Sequence, residues 1–122
     1  IDLRFVIGAA KYSLGTALAH LGALREARAV AAEAVAEFQA QGDERRTASS
    51  RASFAAILRM DGALDQAEIE ARHSLEGAGA PLFRPLFLAT LADVLLARGR
   101  ADARELAAVE RHLRATLGRE RT

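Results

Sequence analysis

The sequence predicts an all-α protein built from three antiparallel helical hairpins, and three observations lead to this prediction. The 122-residue chain contains 29 Ala and 17 Leu, the residues that head the helix-propensity scale, against only two Pro. Apolar residues recur at spacings of three and four, which places them on one face of a helix. Glycine follows one predicted segment after another, and the connections are short. Short connections return each helix alongside the one before it.

The first three helices are predicted over about 2–21, 24–41 and 43–60. Glycines end the first two segments and follow the third. Asp43 stands at the expected N-cap of the third helix, where its side chain can accept a hydrogen bond from the first turn. The second segment carries the clearest helical periodicity, with apolar residues at Ala27, Val30, Ala31, Ala34, Val35 and Phe38.

The last three helices are predicted over about 64–76, 82–98 and 101–117. The fourth ends at the break 77–81, where glycine supplies a left-handed conformation and Pro81 cannot continue a helix. Pro85 is expected in the first turn of the fifth helix, where its missing N–H costs little. Gly118 is expected to stop the sixth.

Composition excludes several classes of function. The chain has no Cys, so a disulfide framework, a Cys-ligated zinc site and thiol catalysis are excluded. The formal net charge of +1 argues against a nucleic-acid partner. No apolar run reaches the length of a membrane span, and no signal-peptide pattern follows Ile1. We therefore expect a cytoplasmic fragment of a longer bacterial protein, without metal or cofactor.

An internal repeat is the most specific signal in the sequence. Gly22, Gly62 and Gly99 each stand between the two helices of a predicted hairpin. The residues around these glycines agree in type at the same offsets. A large apolar residue stands eight residues before each glycine (Leu14, Phe54, Leu91), a small residue seven before (Gly15, Ala55, Ala92), and Leu four before (Leu18, Leu58, Leu95). After the first two glycines, Leu follows at two residues (Leu24, Leu64) and Ala at five (Ala27, Ala67).

This pattern resembles the tetratricopeptide repeat (TPR) family. The resemblance covers nearly the whole chain as a single TPR-like domain, with repeats at about 2–41, 43–77 and 82–117. It implies a right-handed superhelical array, a TPR-like solenoid, in which small residues such as Gly15 let the helices of a hairpin approach closely. The repeats are longer than the usual length of about 34 residues, as in large bacterial signalling and regulatory proteins. The third repeat departs from the pattern, since Arg104 stands where Ala is expected.

The resemblance also implies a function. In TPR arrays the first helices of successive hairpins line a concave groove that binds a peptide or protein, so we expect a non-catalytic interaction scaffold. Carried over one residue at a time, the polar and flexible positions of the groove are Tyr12, Thr16, His20, Ser49, Arg59, Met60 and Asp93. Some family members hold a partner's C-terminal carboxylate with a cationic clamp. The matching positions here supply no cation, since they are Tyr12, Thr16, Ser53, Leu86 and Thr90.

The start of the first helix is apolar on more than one face. Leu3, Phe5, Val6 and Ile7 are predicted to abut either a second copy, giving a homodimer through this helix, or an upstream repeat. An alternative function follows: an internal sensor or spacer segment of a multidomain bacterial regulator, linked to a kinase or ATPase and acting through such contacts.

The sequence supports a catalytic function less well than an interaction scaffold. No His pair at metal-binding spacing, nucleophile-elbow motif or phosphate-binding glycine loop is present in the sequence. A small helical enzyme or ligand carrier would have to use His20, Tyr12 and Asp93 in one closed pocket. The sequence therefore predicts a protein that is not an enzyme.

Overall fold

The computed structural model describes residues 3–77, 83–99 and 103–121, with the side chains of the last segment described at 106–119. These residues form six helices and no strand, so the all-α prediction is confirmed. The helices in chain order are α1 (Leu3–His20), α2 (Leu24–Ala40), α3 (Glu44–Met60), α4 (Leu64–Glu76), α5 (Arg84–Arg98) and α6 (Ala103–Arg121).

One predicted helix end is wrong. α6 does not stop at Gly118 but continues to Arg121. A glycine inside a helix costs about 1 kcal/mol relative to Ala, which lowers helix stability without ending the helix. The predicted start of the fifth helix at Leu82 lies outside the described residues. α5 begins at Arg84, with Pro85 in its first turn as predicted.

The tight turns between helices depend on glycine in the left-handed conformation. Gly22, Gly42 and Gly62 have φ values of 82°, 71° and 81°. After each one, the next N–H donates to a carbonyl five residues earlier, as Ala23 does to Leu18 at 2.9 Å. This closing hydrogen bond satisfies a carbonyl at the helix end and reverses the chain. Gly77 does not follow the prediction, because its φ is −90°.

The first hairpin is antiparallel and closely packed. Close to the turn, a Cβ on Gly15 would lie 3.5 Å from the backbone nitrogen of Ala31. Far from the turn, a Cβ on Gly8 would lie 2.9 Å from the ring of Phe38. The predicted close approach at Gly15 is therefore confirmed, and a second approach lies at Gly8. The small residues Ala27, Ala55 and Ala67 are fully buried, as their offsets predicted.

Consecutive helices pack along each other, and α3 also contacts α1 and α5. Among the helices described, α6 contacts α5 alone. This arrangement is consistent with a helical repeat array. The largest apolar cluster joins residues of the first five helices around Phe54, Ile57 and Leu58 of α3. Each of these side chains contributes about 1.5–3 kcal/mol through burial, so α3 is the centre of the core.

Candidate functional site

A groove of about 340 Å³ crosses the first helices of the three hairpins. α3 contacts both α1 and α5, so the three helices share one side of the molecule. The groove is lined by Tyr12 and Thr16 of α1, by Ser49, Ala52, Ser53 and Ala56 of α3, by Leu86, Phe87 and Thr90 of α5, and by Phe83 just before α5.

The lining of the groove is uncharged, and two of its hydroxyl groups already donate hydrogen bonds within their own helices. Thr16 and Thr90 donate their hydroxyls to the carbonyls of Tyr12 and Leu86, both at 3.1 Å. The hydroxyls of Tyr12, Ser49 and Ser53 make no hydrogen bond to another described residue. Tyr12 is exposed, and Ser49 and Ser53 are half-buried in the groove lining.

The α5 side of the groove is its apolar wall. Phe87 is buried against Ala48 and Ala52 of α3 and forms the floor. Leu86 is 63% exposed, although it is a large aliphatic residue on a well-packed helix. The guanidinium of Arg45 lies 5.7 Å from the ring centroid of Phe83 at the edge. The α5 wall thus consists of the exposed Leu86, the half-buried Phe83 and the buried Phe87.

The structure brings together some of the predicted groove residues. Tyr12, Thr16 and Ser49 line the groove, as do the other positions matched to the cationic clamp, Ser53, Leu86 and Thr90. The remaining predicted residues do not line it. His20, Met60 and Asp93 are exposed and Arg59 is half-buried, with His20 and Met60 at the C-terminal ends of their helices.

The sequence did not predict Phe83 and Phe87 as groove residues. Their signal was available, because two aromatic residues four apart directly follow the predicted break at 77–81. None of the cavities described in this section is lined by His20 or Asp93.

A smaller cavity of about 220 Å³ continues the groove toward the start of α1. It shares Tyr12 and Ser49 with the groove and adds Arg46. The Arg46 guanidinium lies 4.4 Å from the ring centroid of Phe5, and it pairs with Asp43 at 2.8 Å. Of the four predicted contact residues at the start of α1, all are exposed, and Phe5 is partly covered by this cation.

A polar cleft of about 410 Å³ lies beside the α2–α3 turn and the end of α4. Its central cation is Arg51, whose Nη1 lies 3.0 Å from a Glu70 oxygen and 3.3 Å from His73 Nδ1. Lys11 makes equivalent pairs with Glu33 and Glu37 in the first hairpin. Lys11 and Arg51 both stand eleven residues before their hairpin glycine, and their ion pairs connect the two helices of the first and of the second hairpin. The polar side chains of the cleft therefore stabilise the packing of α3 against α4.

Comparison of the chain with protein-family models, with curated proteins and with solved structures gave no match. Within the described residues, no group of three or more His, Cys, Asp or Glu side chains could hold a metal ion. None of the helices described above combines the length and apolar content needed to cross a membrane.

Proposed function

We propose that the chain is a TPR-like interaction scaffold, a right-handed solenoid of three hairpins that binds an extended segment of a partner protein. The binding site is the groove across α1, α3 and α5. The observation that carries this proposal is the groove itself, since its lining contains some of the positions that the repeat resemblance matched on each of the three helices. They are Tyr12 and Thr16 on α1, Ser49 and Ser53 on α3, and Leu86 and Thr90 on α5. The proposal involves no catalysis.

The lining indicates the chemistry of the partner. The lining itself contains no cation to hold a C-terminal carboxylate, and Arg45 at its edge lies over the Phe83 ring, so the partner's anchor is an apolar side chain against Leu86 and Phe83. The hydroxyls of Tyr12, Ser49 and Ser53, which line the opposite wall, can hydrogen-bond the partner's backbone. Binding that depends on apolar burial is weakly affected by salt.

The test uses random peptides displayed on phage and selected on the intact chain. Peptides that the chain enriches are then measured against Leu86→Glu, which places a charge in the apolar wall. Leu86 is exposed, so this variant keeps the fold. We expect the enriched peptides to carry a large apolar residue and to bind Leu86→Glu at least about tenfold more weakly.

Ile69→Glu is the matched control. Ile69 is an aliphatic residue of α4 that is 54% exposed and lies outside the groove, so the change in charge is the same. The control should bind within about twofold of the unaltered chain. Selection that enriches no peptide, or equal losses in the two variants, would exclude the groove as the binding site.

A further inference from the structure

A stripe of apolar side chains runs along the full outer face of α1. Its members alternate at spacings of four and three, which is the period of a helix-contact seam. Leu3, Leu14 and Leu21 are 71%, 50% and 81% exposed. The complete stripe, all of it exposed, is Leu3, Ile7, Ala10, Leu14, Ala17 and, in the turn after the helix, Leu21.

The internal repeat identifies the equivalent faces of α3 and α5, and both of these faces are buried. Leu14 stands eight residues before its hairpin glycine, as do Phe54 of α3 and Leu91 of α5, which are 6% and 3% exposed. The same holds on either side of Leu14. Ala10 corresponds to Ser50 and Phe87, and Ala17 corresponds to Ile57 and Val94, and all four are buried.

In the second and third hairpins, the second helix of the preceding hairpin buries this face. Phe54 and Ile57 share a core cluster with Ala31 and Val35 of α2. Leu91 shares a cluster with Ala71 of α4, against which Leu75 also packs. Ala31 and Ala71 both stand nine residues after their glycine, and Val35 and Leu75 stand thirteen after. The two interfaces therefore use the same pair, Ala followed four residues later by Val or Leu.

We propose that the stripe on α1 is a docking surface for the second helix of a further helical hairpin that presents this same pair to Leu14. The complex would have a third interface of the same kind as the α2–α3 and α4–α5 interfaces of this chain. It does not depend on peptide binding in the groove, because Tyr12 and Thr16 line the groove from a different face of α1.

Leu21 specifies one further property of the docking helix. Its equivalents are Asp61 and Arg98, each one residue before the glycine. Asp61 pairs with Arg28 of α2 at 2.9 Å, and Arg98 pairs with Glu68 of α4 at 3.1 Å. Arg28 and Glu68 both stand six residues after their glycine. Leu21 stands where the second and third hairpins have a charged residue. The docking helix therefore carries an apolar residue at the position six residues after its own glycine.

A second copy of this chain fits the surface less well. Of its second helices, α2 and α4 are already covered by α3 and α5, which leaves α6. In α6 the position thirteen after the glycine is His112, beside the exposed Arg111. A separate hairpin remains the occupant that the chemistry favours.

The experiment inserts a second copy of residues 3–42 directly before Leu3 of the full chain, which keeps the 40-residue register between Gly22 and Gly62. The inserted copy carries Arg28→Leu to face Leu21. Because the chain has no Cys, Leu14→Cys in the original hairpin is a single reporter of exposure. We expect its reaction with a thiol reagent to slow by about tenfold or more after insertion. Ile69→Cys on α4, the control reporter, should react at an unchanged rate.

A matched insertion with Val35→Lys in the added copy tests the chemistry of the docking helix. It should leave Leu14→Cys as reactive as in the original chain, while circular dichroism reports whether the added hairpin is helical. An unchanged rate at Leu14→Cys with the Arg28→Leu insertion, whether the added hairpin folds or not, overturns the proposal. So does slow reaction in the original chain that speeds up on dilution, because a second copy would then cover the stripe.

Discussion

Asp43 is the residue whose local role is most clearly defined. Its Oδ1 accepts from the backbone N–H of Arg46 at 3.0 Å, and its Oδ2 accepts from the Arg46 guanidinium at 2.8 Å. The guanidinium and the backbone N–H of Arg46 hold the pKa of the Asp43 carboxyl below its ordinary value. Because this cap satisfies a free N–H of α3, Asp43→Ala should lower the free energy of unfolding by about 1 kcal/mol, measured by urea denaturation at neutral pH.

The pH dependence of that loss follows from the direction of the pKa shift. A carboxyl with a lowered folded-state pKa stabilises fully above its ordinary pKa and loses this contribution as pH falls through the folded value. The difference in the free energy of unfolding between the unaltered chain and Asp43→Ala should therefore become smaller at acidic pH. Asp43→Asn, which keeps the acceptor without the charge, should show the smaller and flatter loss. A gap that stays constant down to about pH 2 would show that ionisation of Asp43 does not contribute.

The two close approaches in the first hairpin show how far single residues could be predicted. Gly15 was predictable because Ala55 and Ala92 repeat its small size at the same offset. Gly8 was not, because its need for a small residue comes from the ring of Phe38 on the opposite helix. Sequence periodicity identifies which face of a helix is buried, but the identity of the side chain across the interface depends on the register between helices. Phe83 and Phe87 are visible in the sequence as an aromatic pair, but their place in the groove depends on how α5 packs against α3.

Pairs of helices are held in register by charges at equivalent positions. Arg28 pairs with Asp61 between α2 and α3, and Glu68 pairs with Arg98 between α4 and α5 with the signs exchanged. The interface thus accepts either polarity. Arg28→Asp alone should lower stability by about 0.5–1 kcal/mol at low salt, since two carboxylates then face each other. Adding Asp61→Arg should restore most of this loss in a thermal or urea unfolding experiment.

High salt is the control for this exchange. At about 1 M salt, where exposed charges are screened within about 3 Å, the single and double variants should converge. If the double variant were no more stable than Arg28→Asp, the charges would not contribute to the register of the hairpins. These pairs could not be predicted from composition, because the sequence offers 17 basic and 16 acidic residues in many combinations. Only the repeat offsets, once the helices are placed, show that the two pairs are equivalent.

Across the whole molecule, burial is concentrated in the central hairpin. α3 contacts α1, α2, α4 and α5, and seven of its residues are buried. In α6, Val109 is the one buried side chain among those described at 106–119, and α5 is its one described neighbour. In an array whose hairpins contact only their neighbours, such an end opens without the rest. We expect amide hydrogens of α6 to exchange at least about a hundredfold faster than those of α3 in native conditions.

Two core truncations distinguish local from global opening. Leu58 is fully buried at the centre of α3, and Leu58→Ala should cost about 2–5 kcal/mol. If α3 exchanges through global unfolding, this variant should accelerate exchange in the first five helices together. Val109→Ala should accelerate exchange in α6 and leave α3 unchanged, because α6 opens before the remaining contacts are lost. Equal rates in α3 and α6 of the unaltered chain, or acceleration of α3 by Val109→Ala, would show one cooperative unit in which the last hairpin is as firmly held as the centre.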